Sequence, residues 1–271
     1  MDPADAARSK GDESGVLSVL VWVESPGLDE ERGVDAGRLY EGALVCHTPQ
    51  YFVKALQACA DAGIKVNAVT VNNEVDTDQD GHFPATLWAQ QHAIVFVASH
   101  LGPGLEAASL ETKIWVLDHN YDLWGQVADE LGNSQAAKYV DGVAWHSYAG
   151  TPDAMTRIHE MFPDKHMYFT EGEPPAHLFG PSEEQHPEQP RRYPPYGTDW
   201  TRWSSSFTGM LRNWARCICV WNLLLDENGR PDITNPPRPM HRGGLVSIDS
   251  KTQALHLQWE LLGIFALLKT H

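Results

Sequence analysis

Two glutamates stand where a buried apolar run meets the surface. Glu74 follows VTVNN and Glu171 follows MYFT. A carboxylate at the mouth of a buried strand is costly unless it is solvated, paired or used. Placed on different strands of one sheet, two such groups can converge across a cleft. Glycoside hydrolysis needs that pair: one carboxylic acid protonates the leaving oxygen while a second carboxylate acts at the anomeric carbon. The alternative reading of the same residues is two unrelated surface glutamates. The neighbours favour the pair. Asn73, next to Glu74, is a residue type that can hold a sugar 2-hydroxyl, a contact that strengthens in the transition state. His146 and Tyr148 alternate along one run, so both side chains face one side. Trp22 and Trp221 fall near run ends, where an indole can floor a sugar site. Each is ordinary alone, a lone strand His being most often a hydrogen-bonded structural residue; together they make a polar and aromatic funnel with two carboxylates.

The elements that must position these residues alternate along the chain. Short, nearly continuous apolar runs occupy 17–23, 66–71, 113–119, 142–148, 166–171 and 217–222, as expected of parallel strands covered on both faces. Helical spacing fills about 48–62, with Thr48 as N-cap, Pro49 at the first position and Gly63 closing it. It also fills 84–107 with an interruption near 102–104, then 123–139, a short stretch after Thr151-Pro152, 200–216 and 253–269. Strand–helix alternation means βαβ units and a parallel sheet. No G-x-G-x-x-G follows any strand, so the dinucleotide-binding fingerprint is absent. Polar residues gather at the strand C-termini, the pattern of a (β/α)8 TIM barrel. About six units can be found where a closed barrel needs eight. The segments 24–46 and 173–198 read as long loops.

Composition narrows the class. The chain has 271 residues, 20 Lys+Arg against 36 Asp+Glu, and a net charge of −16, so nucleic acid and anionic membrane are poor partners. No apolar run approaches the roughly 20 residues of a membrane span, and the polar first 15 residues, read as disordered, show no signal-peptide h-region. The remainder reads as one barrel domain. Cys46, Cys59, Cys217 and Cys219 lack metal-type spacing and read as free thiols.

Longer stretches carry a resemblance. YFVKALQACADAGIKVNAVTVNNEVDT, TKIWVLDHNYDLW, AAKYVDGVAWHSYAGTPDAMTRIHEMFPDKHMYFTEG and NWARCICVWNLLLDENGRPDI followed by GGLVSIDSKT resemble glycoside hydrolase family 30, the glucosylceramidase-like family. The resemblance implies retaining β-glycosidase chemistry by double displacement, with no cofactor and no metal. It implies Glu74 as acid/base and Glu171 as nucleophile, with Asn73, Asp118, His119, His146, Tyr148, Trp221, Asn222 and Trp22 around the sugar. It implies a carbohydrate or glycolipid substrate, glucosylceramide or a β-glucan, and a family usually secreted or lysosomal. Val75 stands where the family usually has Pro. LSVLVWVESPG resembles barrel strand 3, and nothing before it resembles strands 1 and 2 or the family's β-sandwich domain. The expectation is an incomplete barrel, about strands 3 to 8. An impaired member, acting as a carbohydrate-binding remnant or needing a partner chain to close the barrel, is the alternative. The mechanism predicts carboxyls roughly 5–5.5 Å apart, with Tyr148 or His146 orienting Glu171 and a burial-raised pKa on Glu74.

Overall fold

The structure is a computed structural model and describes residues 20–21, 45–77, 87–172, 200–221, 224–226 and 246–257. Trp22, Asn222, the segment 1–15 and nearly all of the loops expected at 24–46 and 173–198 lie outside the described residues.

Six strands follow one another in space as they do in sequence: β1 (Leu20–Val21), β2 (Ala68–Thr70), β3 (Lys113–Asn120), β4 (Val140–His146), β5 (His166–Glu171) and β6 (Ala215–Ile218). All five pairings are parallel. Parallel neighbours need a crossover, and helices supply it. These are α1 (Val45–Asp61), α2 (Gln90–Phe96), α3 (Gly102–Ala107), α4 (Trp124–Gly132), α5 (Ser134–Ala137), α6 (Asp153–Met161) and α7 (Trp200–Arg212). A second, three-stranded sheet pairs β7 (Leu224–Asp226) parallel to β8 (Val246–Ile248), and β8 antiparallel to β9 (Leu255–Leu257).

The two faces of the main sheet differ. Val69, Val116, Val143, Trp145, Met167 and Phe169 pack against helix residues such as Phe52, Phe96, Val127 and Ile158 in one large core. Ala68, Trp115, Ala144 and Tyr168 form a smaller apolar cluster of their own. There Trp115 stacks on Tyr168 at 3.9 Å between ring centroids. Asp141 satisfies both rings' polar atoms, accepting from Trp115 Nε1 at 3.1 Å and from the Tyr168 hydroxyl at 2.7 Å. Gly142 makes room there: a Cβ on it would sit 2.3 Å from the His166 carbonyl oxygen.

Several element ends depart from expectation for local reasons. α1 opens at Val45, one turn before Thr48, so Pro49 follows four residues whose N–H groups need no helical partner. Gly63 closes it as expected, at φ 76 with Ile64 N–H donating to the Cys59 carbonyl at 2.9 Å. The interruption expected near 102–104 is a π turn, Val97–Leu101, just ahead of Pro103, whose missing N–H frees a carbonyl of the preceding turn. The helix expected over 123–139 breaks at Asn133, which turns extended and caps α5 by accepting from Gln135 N–H and Ala136 N–H. Thr151 does not cap α6, because its hydroxyl goes to the Asp153 carboxylate. α7 ends at Arg212, and Trp214 at φ 75 turns the chain into β6 two residues earlier than predicted. The first residues of the helix expected over 253–269 are instead β9. Asp249 builds the hairpin, its carboxylate accepting from Lys251 N–H and Thr252 N–H, and period-two alternation follows in Leu255 and Leu257.

Candidate active site

The strand C-termini converge on one imidazole. His146, the last residue of β4, is fully buried. Its Nε2 lies 3.1 Å from Asp118 Oδ1, and its Nδ1 lies 3.3 Å from Glu74 Oε1 and 4.0 Å from Glu171 Oε1. The Tyr148 hydroxyl donates to Glu171 Oε1 at 3.1 Å. Tyr148 lies beyond the end of β4, not on the strand as expected, and its backbone N–H donates to Asn120 Oδ1 at 2.9 Å.

Backbone irregularities aim these groups. Glu74 (φ 50), Leu117 (φ 70) and Asp118 (φ 54) are left-handed residues with a Cβ, a conformation found mostly in glycine. The β3–β4 register shifts between Leu117 and His119, where the two left-handed residues reset the alternation and Asp118 faces the interior. A hydrogen bond from Glu74 N–H to the Asp118 carbonyl, 2.9 Å, ties the two irregular positions together. A second shift after Trp145 sets His146 opposite Glu171, past Thr170, so both Thr170 and Glu171 reach the cluster.

Asp118 is the anchor. It accepts from the Thr70 hydroxyl at 2.6 Å and the Thr170 hydroxyl at 2.7 Å besides facing His146. Burial alone would raise its pKa, but those donors and the His146 charge hold it below the ordinary carboxylate value. Burial alone would make His146 a weaker base; its hydrogen bonds to Asp118 and Glu74 and the charges of Asp118 and Glu171 instead push it up to about 10, so it is an imidazolium at neutral pH. Glu171 is raised to about 7, chiefly by burial and further by the Glu74 and Asp118 charges, while His146 and Tyr148 oppose the shift. Glu171 thus carries a raised carboxyl, buried and facing the charges of two other carboxylates. Burial also lowers the pKa of His119, keeping it neutral.

Asn73 and His119 bring buried acceptors without partners. Asn73 Oδ1 and His119 Nδ1 have no hydrogen bond among the described residues. The His119 ring stands edge-on to His146, with centroids 6.1 Å apart. Trp221 is half-buried and its N–H donates to the Gly172 carbonyl at 3.2 Å, beside Glu171. The structure thus gathers Glu74, Asp118, His146, Tyr148 and Glu171 by direct contact and sets His119 against His146. Thr70, Thr170 and Asn120 were not predicted as members. The one signal for Thr70 was a hydroxyl within the mostly apolar run at 66–71. Cys59, Cys217 and Cys219 are free thiols, as expected.

A parallel α/β sheet carrying a carboxylate–imidazole cluster at its strand C-termini is the arrangement of a (β/α)-barrel enzyme domain. Residues 31–236 match the model of the glycosyl hydrolase family 30 TIM-barrel domain, and the chain belongs to that family. The six-stranded sheet is part of a (β/α)8 barrel. The chain is 32% identical over 230 residues to an endo-1,6-β-D-glucanase of Neurospora crassa, covering 84% of this chain and 43% of that protein. It is 32% identical over 130 residues to the lysosomal acid glucosylceramidase of Mus musculus, covering 45% of this chain and 25% of that protein. A solved endo-β1,6-glucanase superposes with a TM-score of 0.63 at 26% identity, covering 80% of this chain and 47% of that one. The chain thus spans less than half the length of these relatives.

Proposed function

We propose that this chain carries out retaining hydrolysis of a β-glucoside, with Glu171 as nucleophile and Glu74 as acid/base. The observation that supports it best is that Glu74 and Glu171, from different strands, face the same imidazole nitrogen at 3.3 and 4.0 Å. Their nearest oxygens are then no farther apart than those two distances together, a span that admits the roughly 5–5.5 Å of a retaining pair. Glu171 attacks the anomeric carbon as Glu74 protonates the leaving oxygen, giving a glycosyl-enzyme; Glu74 then takes a proton from water, which releases the sugar. The Tyr148 hydrogen bond and the His146 charge both favour a carboxylate on Glu171, the form that attacks. Asn73 Oδ1, an unused acceptor beside Glu74, suits a substrate hydroxyl.

The relatives named as endo-1,6-β-D-glucanases make β-1,6-glucan the first polymer to assay, with glucosylceramide second. The test is turnover of β-1,6-glucan and of an aryl β-glucoside by the wild-type chain and two variants. Glu171→Gln abolishes both. Glu74→Gln lowers glucan turnover by about 10²–10⁴-fold, the usual contribution of general acid–base catalysis. It lowers aryl glucoside cleavage less, because a phenolate leaves without a proton. Equal losses on both substrates would overturn Glu74 as the acid.

A further inference from the structure

We propose that Glu74, His119 and His146 form a binding site for a divalent transition-metal cation of the Zn²⁺ type, and that occupancy blocks the proposed hydrolytic site. One ligand atom from each of the three lies within 4.8 Å of the other two. Tetrahedral ligands about 2.1 Å from zinc sit roughly 3.4 Å apart. The Glu74 Oε1–His146 Nδ1 edge is 3.3 Å, so these two atoms already hold that spacing; a cation would displace the Nδ1 proton between them, and the His119 side chain would close in.

Two independent observations point to a cation there. His119 is 94% buried by accessible surface (6% exposed), and its Nδ1 has no hydrogen-bond partner among the described residues. A buried nitrogen without a partner calls for an occupant. The second is what lies behind His146. Metal-bound histidines hand their other ring nitrogen to a carboxylate that fixes the ring. Here His146 Nε2 meets Asp118 Oδ1 at 3.1 Å, and Asp118 is itself clamped by the Thr70 and Thr170 hydroxyls. Two imidazoles and one carboxylate favour Zn²⁺, Co²⁺ or Cu²⁺ over Mg²⁺ or Ca²⁺, which prefer all-oxygen sites. A cation bound there takes the Glu74 carboxylate out of acid–base use.

The experiment is a Co²⁺ titration of the full chain, freed of metal by chelation, followed by visible absorption, with Zn²⁺ as competitor. The expected result is one saturating equivalent with the intense bands of a low-coordinate, nitrogen-ligated Co²⁺, displaced by Zn²⁺. His119→Ala and Glu74→Gln each weaken binding at least tenfold, and Asp118→Asn weakens it by about 10–100-fold. His92→Ala, at an exposed histidine, changes nothing. No saturable band in the folded wild-type chain overturns the proposal, and so does a band that survives both ligand variants. If His119→Ala does not fold, as judged by circular dichroism, His119→Asn takes its place. The readout is spectroscopic, so it stands or falls whatever the chain hydrolyses. Where aryl glucoside turnover is measurable, saturating Zn²⁺ lowers it at least tenfold.

Discussion

Burial, with the Glu74 and Asp118 charges, raises the carboxyl of Glu171, the proposed nucleophile. With its pKa at about 7, the free site reaches the nucleophilic form only as pH rises through neutrality. The expected kcat/KM profile therefore has an acidic limb near pH 7, reported by the coupled carboxyl pair as a unit. Tyr148→Phe removes a donor that favours the carboxylate, so the limb moves to higher pH. A limb unmoved or shifted downward in that variant counts against Tyr148 as the group orienting the nucleophile. At this scale the sequence was informative for the acids and poor for their supports. Glu74 and Glu171 are conspicuous because a carboxylate ending an apolar run needs a reason. Thr70 and Thr170 are common strand residues. That both point at Asp118 depends on bulges whose left-handed positions are filled by Leu117 and Asp118, with no glycine to mark them.

At the scale of elements, hydrophobic periodicity fixed what packing enforces. β5 has the bounds predicted, 166–171; it is paired on both sides and alternates between the helix-facing core (Met167, Phe169) and the opposite face (Tyr168, Thr170). The hairpin at 246–257 was misread because QALHLQWELL also satisfies a helical spacing, and Asp249's capping of the turn is a side-chain event that periodicity does not register. Gly142 offers a direct test of how closely β4 and β5 approach. Gly142→Ala sets a methyl 2.3 Å from the backbone carbonyl oxygen of His166 and 2.8 Å from the Tyr168 ring. The carbonyl cannot rotate away, so the expected cost is about 1–3 kcal/mol in chemical denaturation, the range of overpacked cores. A neutral outcome would mean that the strands part more easily than their pairing suggests.

For the molecule as a whole, buried titration sets the pH of greatest stability. Glu130 is buried on α4, and burial, with Asp129 beside it, raises its pKa from 4.5 to about 8. A raised carboxyl contributes stability in full below its unfolded pKa and loses it as pH rises through the folded value. Glu130 and Glu171 therefore stabilise the fold most below pH 4.5 and lose that contribution by about 8 and about 7. The lowered pKa of Asp118 runs the other way, its contribution falling as pH drops below 3.8. His146 contributes in full below 6.5 and fades toward about 10. For these four groups together the maximum falls between 3.8 and 4.5, and stability declines from there through pH 5 to pH 8. Melting at pH 8 is expected at least about 4 °C below that at pH 5, given roughly 2–4 °C per kcal/mol in domains of this size. Glu130→Leu narrows the gap. A melting temperature that holds level or climbs from pH 5 to pH 8 contradicts this assignment.

The stacked Trp115–Tyr168 pair has one more consequence. With Ala68 and Ala144 it forms a dry plate two to three residues back along the strands from Thr70, Asp118, His146 and Thr170. Its polar edges are already occupied by Asp141, which leaves the plate itself no free donor for water. Among the described residues, Tyr148 at the mouth is the exposed side chain that contacts the cluster. The imidazolium hydrogens of fully buried His146 should thus exchange slowly with solvent, and slower still with the proposed sugar substrate seated over them.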